Sequence, residues 1–302
     1  MVEIGVCIVG ATGGVGRWLV RSVLESGEFW LAGAVARGSV GEDAGSAIGD
    51  DPCGTVVLGT IEEALERNPD VVVDYTHPSV GMRHVRAAID RSIPVVIGTT
   101  GFSAAEFDEL DEAARRSGVG LVTGNMSLTA ALLQHLALIT AAHIPHWTIV
   151  EYCKALKPDV PSGTARELAE LMGKVRQPEY SLTVDQHFGD TRSLGADVAG
   201  SRVHAIRSPG ISEAAVEVLF GLPGERLSLR HDCEDPRVFV AGSLLAAQRV
   251  SDFSGLVRGL DKLLLRRSTD TDWCRFPRWS RYRLESKLGL EIEACVMELL
   301  RI

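Results

Sequence analysis

Along residues 2–125, short runs of β-branched and other apolar residues alternate with stretches whose apolar positions recur every three or four residues. This is how parallel strands joined by crossover helices read in sequence, because strands buried on both faces give unbroken apolar runs. The strand candidates are EIGVCIVG (3–10), FWLAGAVA (29–36), TVVLG (55–59), VVVDYT (71–76), PVVIGTT (94–100) and GLVTGN (120–125). Helical periodicity occupies residues 15–26, 61–68, 80–92 and 104–117. The apolar segment LTAALLQHLALITAAHI (128–144) contains Gln134 and His135 and falls short of a membrane span, so it is read as a buried helix.

Past residue 146 the texture changes. TIVEYCK (148–154), SLTVDQHF (181–188), RVHAIRS (202–208), AAVEVLFGL (214–222) and ERLSLRHDC (225–233) read as strands, the last two joined by the turn LPGE. Alternation in AAVEVLF and RLSLRHD predicts an antiparallel sheet with one face open. A helix over 164–173 interrupts this set, another over 239–250 returns to a buried pattern, and GLVRGLDKLL (255–264) follows it. From Arg266 the chain is rich in arginine and aromatic residues, then places Leu284, Leu288, Ile292, Cys295 and Leu299 on one helical face. This extension, 266–302, is read as an amphipathic helix docked on the domain or on a neighbouring subunit.

Composition narrows the field. With 45% apolar and 24% charged residues in a chain of 302, the protein has the make-up of a folded globular molecule with room for two domains. A net charge of -9 and a pI near 5.4 turn the search from nucleic acid and anionic membranes toward a small-molecule or protein partner. The six cysteines form no C-x-x-C pair, which indicates neither a metal site nor a disulfide framework and points to reduced thiols in a cytoplasm. No basic segment precedes the first apolar run, so no secretory signal is expected.

The first strand candidate runs directly into GATGGVG, which places Gly10, Gly13 and Gly16 at G-x-x-G-x-x-G spacing ahead of a helix. Glycines there let the backbone of Gly10, Thr12, Gly13, Gly14, Val15 and Gly16 approach a pyrophosphate, and the helix N-terminus supplies free N–H groups. Where the second strand of such folds often ends in a carboxylate for the ribose hydroxyl, this chain has Arg37. An arginine there accommodates a 2'-phosphate, so NADPH is expected to serve at least as well as NADH; a solvated surface arginine is the plainer alternative. YTHP (75–78) and GTTG (98–101) sit at further carboxyl ends of strands, where Tyr75, Thr76, Gly98, Thr99 and Thr100 suit a nicotinamide and its ribose.

None of the four tyrosines is followed four residues later by a lysine, which argues against the short-chain dehydrogenase class. Cys153 beside Lys154 offers a thiol of lowered pKa, the nucleophile of a semialdehyde dehydrogenase, while a packed strand cysteine is the blander reading. Thr164 followed by Glu167 has capping-box spacing, so a helix is expected to begin there. Ser162, Gly163 and Thr164 would then offer N–H and hydroxyl donors to a carboxylate, with Lys157 available as a positive charge or proton source.

Taken in order, GATGGVG, YTHP, GTTGF, GNMS and E-x-x-x-x-x-K-x-D-x-P-S-G-T-A resemble the dihydrodipicolinate reductase family over about residues 2–265. The resemblance implies a nicotinamide-dependent reductase acting on a C=N or conjugated C=C bond of a small, cyclic, carboxylated substrate. Its implied fold is a Rossmann-type doubly wound α/β domain, 1–127 and 240–265, with an inserted α+β mixed-sheet domain, 128–239, that binds substrate and forms a homotetramer. By position it makes Lys157 the proton donor, Ser162, Gly163 and Thr164 the carboxylate contacts, and Asn125, Met126 and Ser127 neighbours of the nicotinamide. The family's E-x-H-H histidines are replaced here by Cys153 and Lys154, the histidine usual after its glycine turn is missing from RSPGISEAA (207–215), and the extension has no counterpart. A diverged substrate, the lysine-pathway reaction itself and a non-catalytic dinucleotide sensor all remain open from the sequence.

Overall fold

The computed structural model describes residues 3–211 and 214–264; the expected extension helix at 266–302 lies outside the described residues. The chain begins with β1 (Ile4–Val9), α1 (Gly16–Leu24), β2 (Phe29–Val35), α2 (Ala44–Ile48), β3 (Val57–Leu58) and α3 (Ile61–Leu65). It continues with β4 (Val71–Asp74), α4 (Pro78–Ile89), β5 (Val95–Ile97), α5 (Ala104–Ser117) and β6 (Gly120–Thr123). The second half holds α6 (Leu128–His143), β7 (Trp147–Lys154), α7 (Gly163–Val175), β8 (Ala196–Val198), β9 (Ser201–Ser208), β10 (Ala214–Leu222) and β11 (Glu225–Cys233). The chain then returns through α8 (Val240–Arg249), β12 (Gly255–Arg258) and α9 (Asp261–Leu264).

Seven parallel strands form the first sheet, in the order β12-β6-β5-β4-β1-β2-β3. Val71 to Val73 and Val95 to Ile97 are each at most 1% exposed, so both faces of the sheet are covered, as the continuous apolar runs require. The late segment β12 pairs with β6, Gly255 opposite Gly120, and completes the sheet from the far end of the chain. Its partner α8 packs so tightly that a Cβ on Gly242 would lie 2.0 Å from the Met126 carbonyl oxygen. The α/β class and the doubly wound sheet expected from the sequence are therefore present.

The second sheet runs β11-β10-β7-β9-β8. β10 and β11 pair antiparallel as their alternation predicted, and β7 pairs parallel with β9, which makes the sheet mixed as the resemblance implies. A parallel pair needs a crossover, and α7 supplies it. Trp147, Ile149, Val218 and Phe220 on one face join Leu133 and Ala137 of α6 and Leu168 and Met172 of α7 in a separate core. SLTVDQHF is not a strand but contains a single turn of 3-10 helix, Val184–Gln186, with Val184 and Phe188 exposed. Thr183 donates its N–H to the Gln186 side chain at 2.8 Å, so a local turn wins over β-propensity. Nor is α6 buried all round: Ala130, Ala131, Ala137 and Ala141 face inward while Leu132, Leu136 and Ile139 are exposed.

Candidate active site

The nucleotide end starts where β1 stops. Gly10 holds φ +88°, and a Cβ there would meet the Tyr75 carbonyl oxygen at 2.6 Å. Gly13 donates its N–H to the Gly10 carbonyl at 2.9 Å. A Cβ on Gly16 would fall 1.9 Å from that same oxygen, so the loop closes only with glycine at this point. Helices α2 to α7 each have a side chain accepting from their first-turn N–H groups: Asp43, Thr60, His77, Ser103, Ser127 and Ser162. α1 starts behind Val15 with no side-chain cap: Arg17 and Trp18 donate their N–H groups to the Gly13 and Val15 carbonyls at 3.2 and 3.0 Å, and the N–H groups of Gly14, Val15 and Gly16 have no acceptor among the described residues. Open space in front of Gly14 completes a cradle that fits a pyrophosphate. Arg37 is exposed just beyond β2, where it can meet a 2'-phosphate.

A buried carboxylate organises the neighbouring loops. Asp74 closes β4 with no exposed surface. Its Oδ1 accepts from the Thr76 N–H at 2.8 Å, the Thr76 hydroxyl at 2.6 Å and the Thr99 hydroxyl at 2.7 Å. Its Oδ2 accepts from His84 Nδ1 at 2.7 Å. Burial alone would push the carboxyl up, but the hydrogen bonds from His84, Thr76 and Thr99 outweigh it and hold the group below the usual carboxylate range. Tyr75 lies under Gly98, where a Cβ would be 2.3 Å from the ring, and shares a 2.7 Å hydrogen bond with Ser243 of α8.

Several residues expected to touch the cofactor face inward instead. Thr99 is 4% exposed and spends its hydroxyl on Asp74. Met126 and Ser127 are each 1% exposed; Met126 joins the core and the Ser127 hydroxyl caps α6. Asn125 is different: its Oδ1 accepts the Ser127 N–H at 3.0 Å, but it is half-buried and keeps surface toward the cleft described below. Thr99, Met126 and Ser127 thus shape the backbone of the loops, while Tyr75, Thr76 and Gly98 are half-buried and Thr100 is exposed.

At the substrate end, Glu151 of β7 is fully enclosed. Its two oxygens accept the Ser162 N–H at 2.9 and 3.0 Å, and Oε1 also accepts from Arg207 Nη2 at 2.7 Å. Arg207 Nη2 reaches the Asp159 carbonyl at 2.8 Å as well. Lys157 Nζ pairs with Asp159 Oδ1 at 2.8 Å, both side chains being partly exposed. The start of α7 differs from expectation: Ser162, not Thr164, is its cap, accepting from the Ala165 N–H at 3.3 Å. Because Glu151 claims the Ser162 N–H, the helix begins two residues earlier and Thr164 falls inside its first turn.

Cys153 is not the activated thiol that its neighbour Lys154 led one to expect. It is 3% exposed, and burial pushes the thiol up despite the nearby Arg207 guanidinium. Successive strand residues point to opposite faces, so Cys153 shares the inner face with Glu151 while Lys154 is exposed.

A cleft lies between the loops beyond β6 and β12 and the start of α7. Gly124 and Asn125 beyond β6, and Gly259 and Asp261 beyond β12, face Gln134, Thr164, Glu167 and His231 across it. Asn125 and Thr164, assigned to cofactor and substrate respectively, thus share one opening, while Lys157 and Ser162 stand behind Thr164 and outside its lining. His231, whose Nδ1 lies 2.9 Å from the Thr129 hydroxyl, has its pKa lowered by burial. Glu151 opens the E-x-x-x-x-x-K-x-D-x-P-S-G-T-A motif but was given no role from the sequence, and His231 and Arg207 were not assigned one because nothing in their spacing relates them to the PSGT turn.

A glycine loop opening the first helix of a parallel sheet, with a mixed sheet bordering a cleft at that sheet's carboxyl edge, defines a dinucleotide-dependent oxidoreductase. Family models described as dihydrodipicolinate reductase, N-terminus and C-terminus, match residues 4–126 and 125–264. The chain is 38% identical over 271 residues to 4-hydroxy-tetrahydrodipicolinate reductase of Thermosynechococcus vestitus, covering 86% of this chain and 97% of that one. The corresponding Moorella thermoacetica protein is 37% identical over 264 residues, with 86% and 98% covered. Dipicolinate-bound dihydrodipicolinate reductase from Paenisporosarcina sp. TG-14 superposes with a TM-score of 0.73 at 26% identity, covering 86% of this chain and 99% of that one. The chain belongs to the dihydrodipicolinate reductase family.

The buried Asp74 gives a pH signature. Its folded pKa lies below the ordinary 3.8, so its stabilisation is complete above that pH and is withdrawn as pH falls through the depressed value. Asp74→Asn is expected to cost about 1–3 kcal/mol at pH 7. In urea denaturation the gap between the two proteins should narrow below about pH 4; a gap independent of pH would contradict the assignment.

Proposed function

We propose that this protein reduces a C=N or conjugated C=C bond of a small, cyclic, carboxylated substrate with NADPH, or NADH, as the reductant. The observation that carries this reading is the shared cleft: Asn125, at the carboxyl edge of the nucleotide-binding sheet, and Thr164, in the first turn of α7, line the same opening. The α1 cradle and Arg37 hold the nucleotide. A reduced nicotinamide, when bound, supplies the hydride. Gly163 and Thr164 orient the substrate carboxylate at the positive end of a 13-residue helix, while Ser162, whose N–H goes to Glu151 and whose hydroxyl caps the helix, holds the turn in place. Lys157 holds a proton on Nζ for the atom left negative after reduction.

The relatives' names make 4-hydroxy-tetrahydrodipicolinate the first substrate to assay. Cys153 and Lys154 favour a shifted substrate preference, because a buried neutral thiol and a fixed cation stand where the family carries two histidines. Residues 1–127 and 240–265 form the nucleotide part in this reading, and 128–239 the substrate part. The four described cysteines are free, which agrees with a cytoplasmic location, and among the described residues no helix is long and apolar enough to cross a membrane. The sheet face opposite α6 and α7 carries half-buried Val150, Tyr152 and Leu219, and we assign a second copy of the chain to it, building a tetramer.

Nucleotide oxidation, followed by absorbance with 4-hydroxy-tetrahydrodipicolinate and a panel of cyclic imino acids, tests the activity; tight nucleotide binding with no turnover on any of them would favour a sensor. Lys157→Ala should lower kcat by about 10²–10⁴-fold while leaving nucleotide affinity unchanged. Arg37→Ala should weaken NADPH binding about tenfold and spare NADH, and equal effects on both would remove the 2'-phosphate role. Light scattering of the purified full chain should return the mass of four copies; a monomer would refute the assembly.

A further inference from the structure

We propose that Asp159 is an internal carboxylate seated on the donors meant for the substrate's carboxylate, so that the substrate binds by displacing it and Asp159 sets substrate affinity. This rests on the reading of Lys157 and the 162–164 turn given above.

Both oxygens of Asp159 are engaged, and by groups of two different elements. Oδ1 lies 2.8 Å from Lys157 Nζ, and Oδ2 accepts the Gly163 N–H at 3.3 Å, in the first turn of α7. One carboxylate therefore bridges a cation and a helix N-terminus, the pair of features that a bound substrate carboxylate would use. Lys157 holds the Asp159 carboxyl below its ordinary range, which keeps the bridge ionised at neutral pH.

The side chain is free to leave while the loop stays in place. The Asp159 backbone is anchored separately, its carbonyl accepting from Arg207 Nη2 at 2.8 Å, and Ser162 is pinned by Glu151. The Asp159 side chain is 41% exposed and its Lys157 partner 34%, so rotation about χ1 carries the carboxylate into water. Ion pairs this open hold their partners by no more than about fivefold in equilibrium, a barrier that an incoming carboxylate with further contacts overcomes. Any ligand carboxylate that takes this seat meets the same competitor, whatever the rest of the ligand contacts. The family fingerprint places an aspartate two residues after the lysine; the geometry gives that aspartate a task distinct from holding the loop, which Glu151 and Arg207 perform.

The test is inhibition of the full-length, NADPH-bound protein by pyridine-2,6-dicarboxylate and by pyridine-2-carboxylate. Asp159→Asn should lower both inhibition constants by about two- to fivefold, and by the same factor, because both ligands clear one seat. Asp159→Ser serves the same comparison should the asparagine variant fold poorly. Constants that stay unchanged or rise would overturn the inference and make Asp159 a support for Lys157. Lys157→Ala separates the two levels. If it weakens both inhibitors while Asp159→Asn does not tighten them, only the displacement idea fails. If it leaves them unaltered, the carboxylate does not sit here and the functional reading fails with it.

Discussion

The enclosed carboxylate of Glu151 is the constraint on which the substrate side of the molecule depends. A charge with no exposed surface is tolerated only when paired and hydrogen-bonded, and removing one partner strands the others at a cost of several kcal/mol. Here the partners are a backbone N–H from the loop and a guanidinium from β9, so three segments separated in sequence are held to one point. Arg207 accepts a penalty in doing so, since its Nε is buried without a partner among the described residues. The return is a loop fixed at both ends. Lys157 donates its backbone N–H to the Lys154 carbonyl at 3.1 Å and Ser162 is tied to Glu151, which leaves side chains between them to respond to a ligand.

The nucleotide side repeats the device at the end of another strand. Asp74 closes β4 as Glu151 occupies β7, buried and saturated with donors, and the loops after β4 and β5 are shaped around it. This explains why Thr99, a residue of the right type in the right loop, does not present its hydroxyl outward. Met126 and Ser127, beyond β6, turn inward for other reasons: Met126 packs in the core and the Ser127 hydroxyl caps α6. A dinucleotide bound along such loops meets backbone N–H groups and glycines, which suits a phosphate better than hydroxyls that would need to be released from a buried acid.

What could be read from the sequence divides along a physical line. Unbroken apolar runs such as VVVDYT and the glycine spacing of GATGGVG are local signals, and both survive folding because parallel strands and a phosphate turn impose their demands over a few consecutive residues. The start of α7 was misplaced for the opposite reason. Ser162 and Thr164 both satisfy local capping rules, and the choice between them is made by Glu151, 11 residues away from Ser162 and on another element. SLTVDQHF failed as a strand because β-propensity needs a pairing partner, whereas Thr183 and Gln186 satisfy each other on the spot. The strand in GLVRGLDKLL is four residues long and begins at a glycine with φ +86°, so it exists only through its pairing with β6. Arg207 and Glu151, 56 residues apart, leave no spacing to detect.

The replacement of the family's histidine pair follows from the same geometry. Adjacent residues on β7 point to opposite faces, so Cys153 and Lys154 do not act together from one side of the strand. The inner position, beside Glu151 and Arg207, now holds a thiol that burial keeps neutral, a small group that needs no partner in a region already crowded with charge. The outer position holds Lys154, exposed on the opposite face of the strand. The chain therefore sets a neutral thiol on the enclosed face and a lysine on the open one, where the family's motif has a histidine at each position. The loop that follows carries Lys157, Asp159 and the first turn of α7, the groups to which carboxylate recognition is assigned in the proposals above.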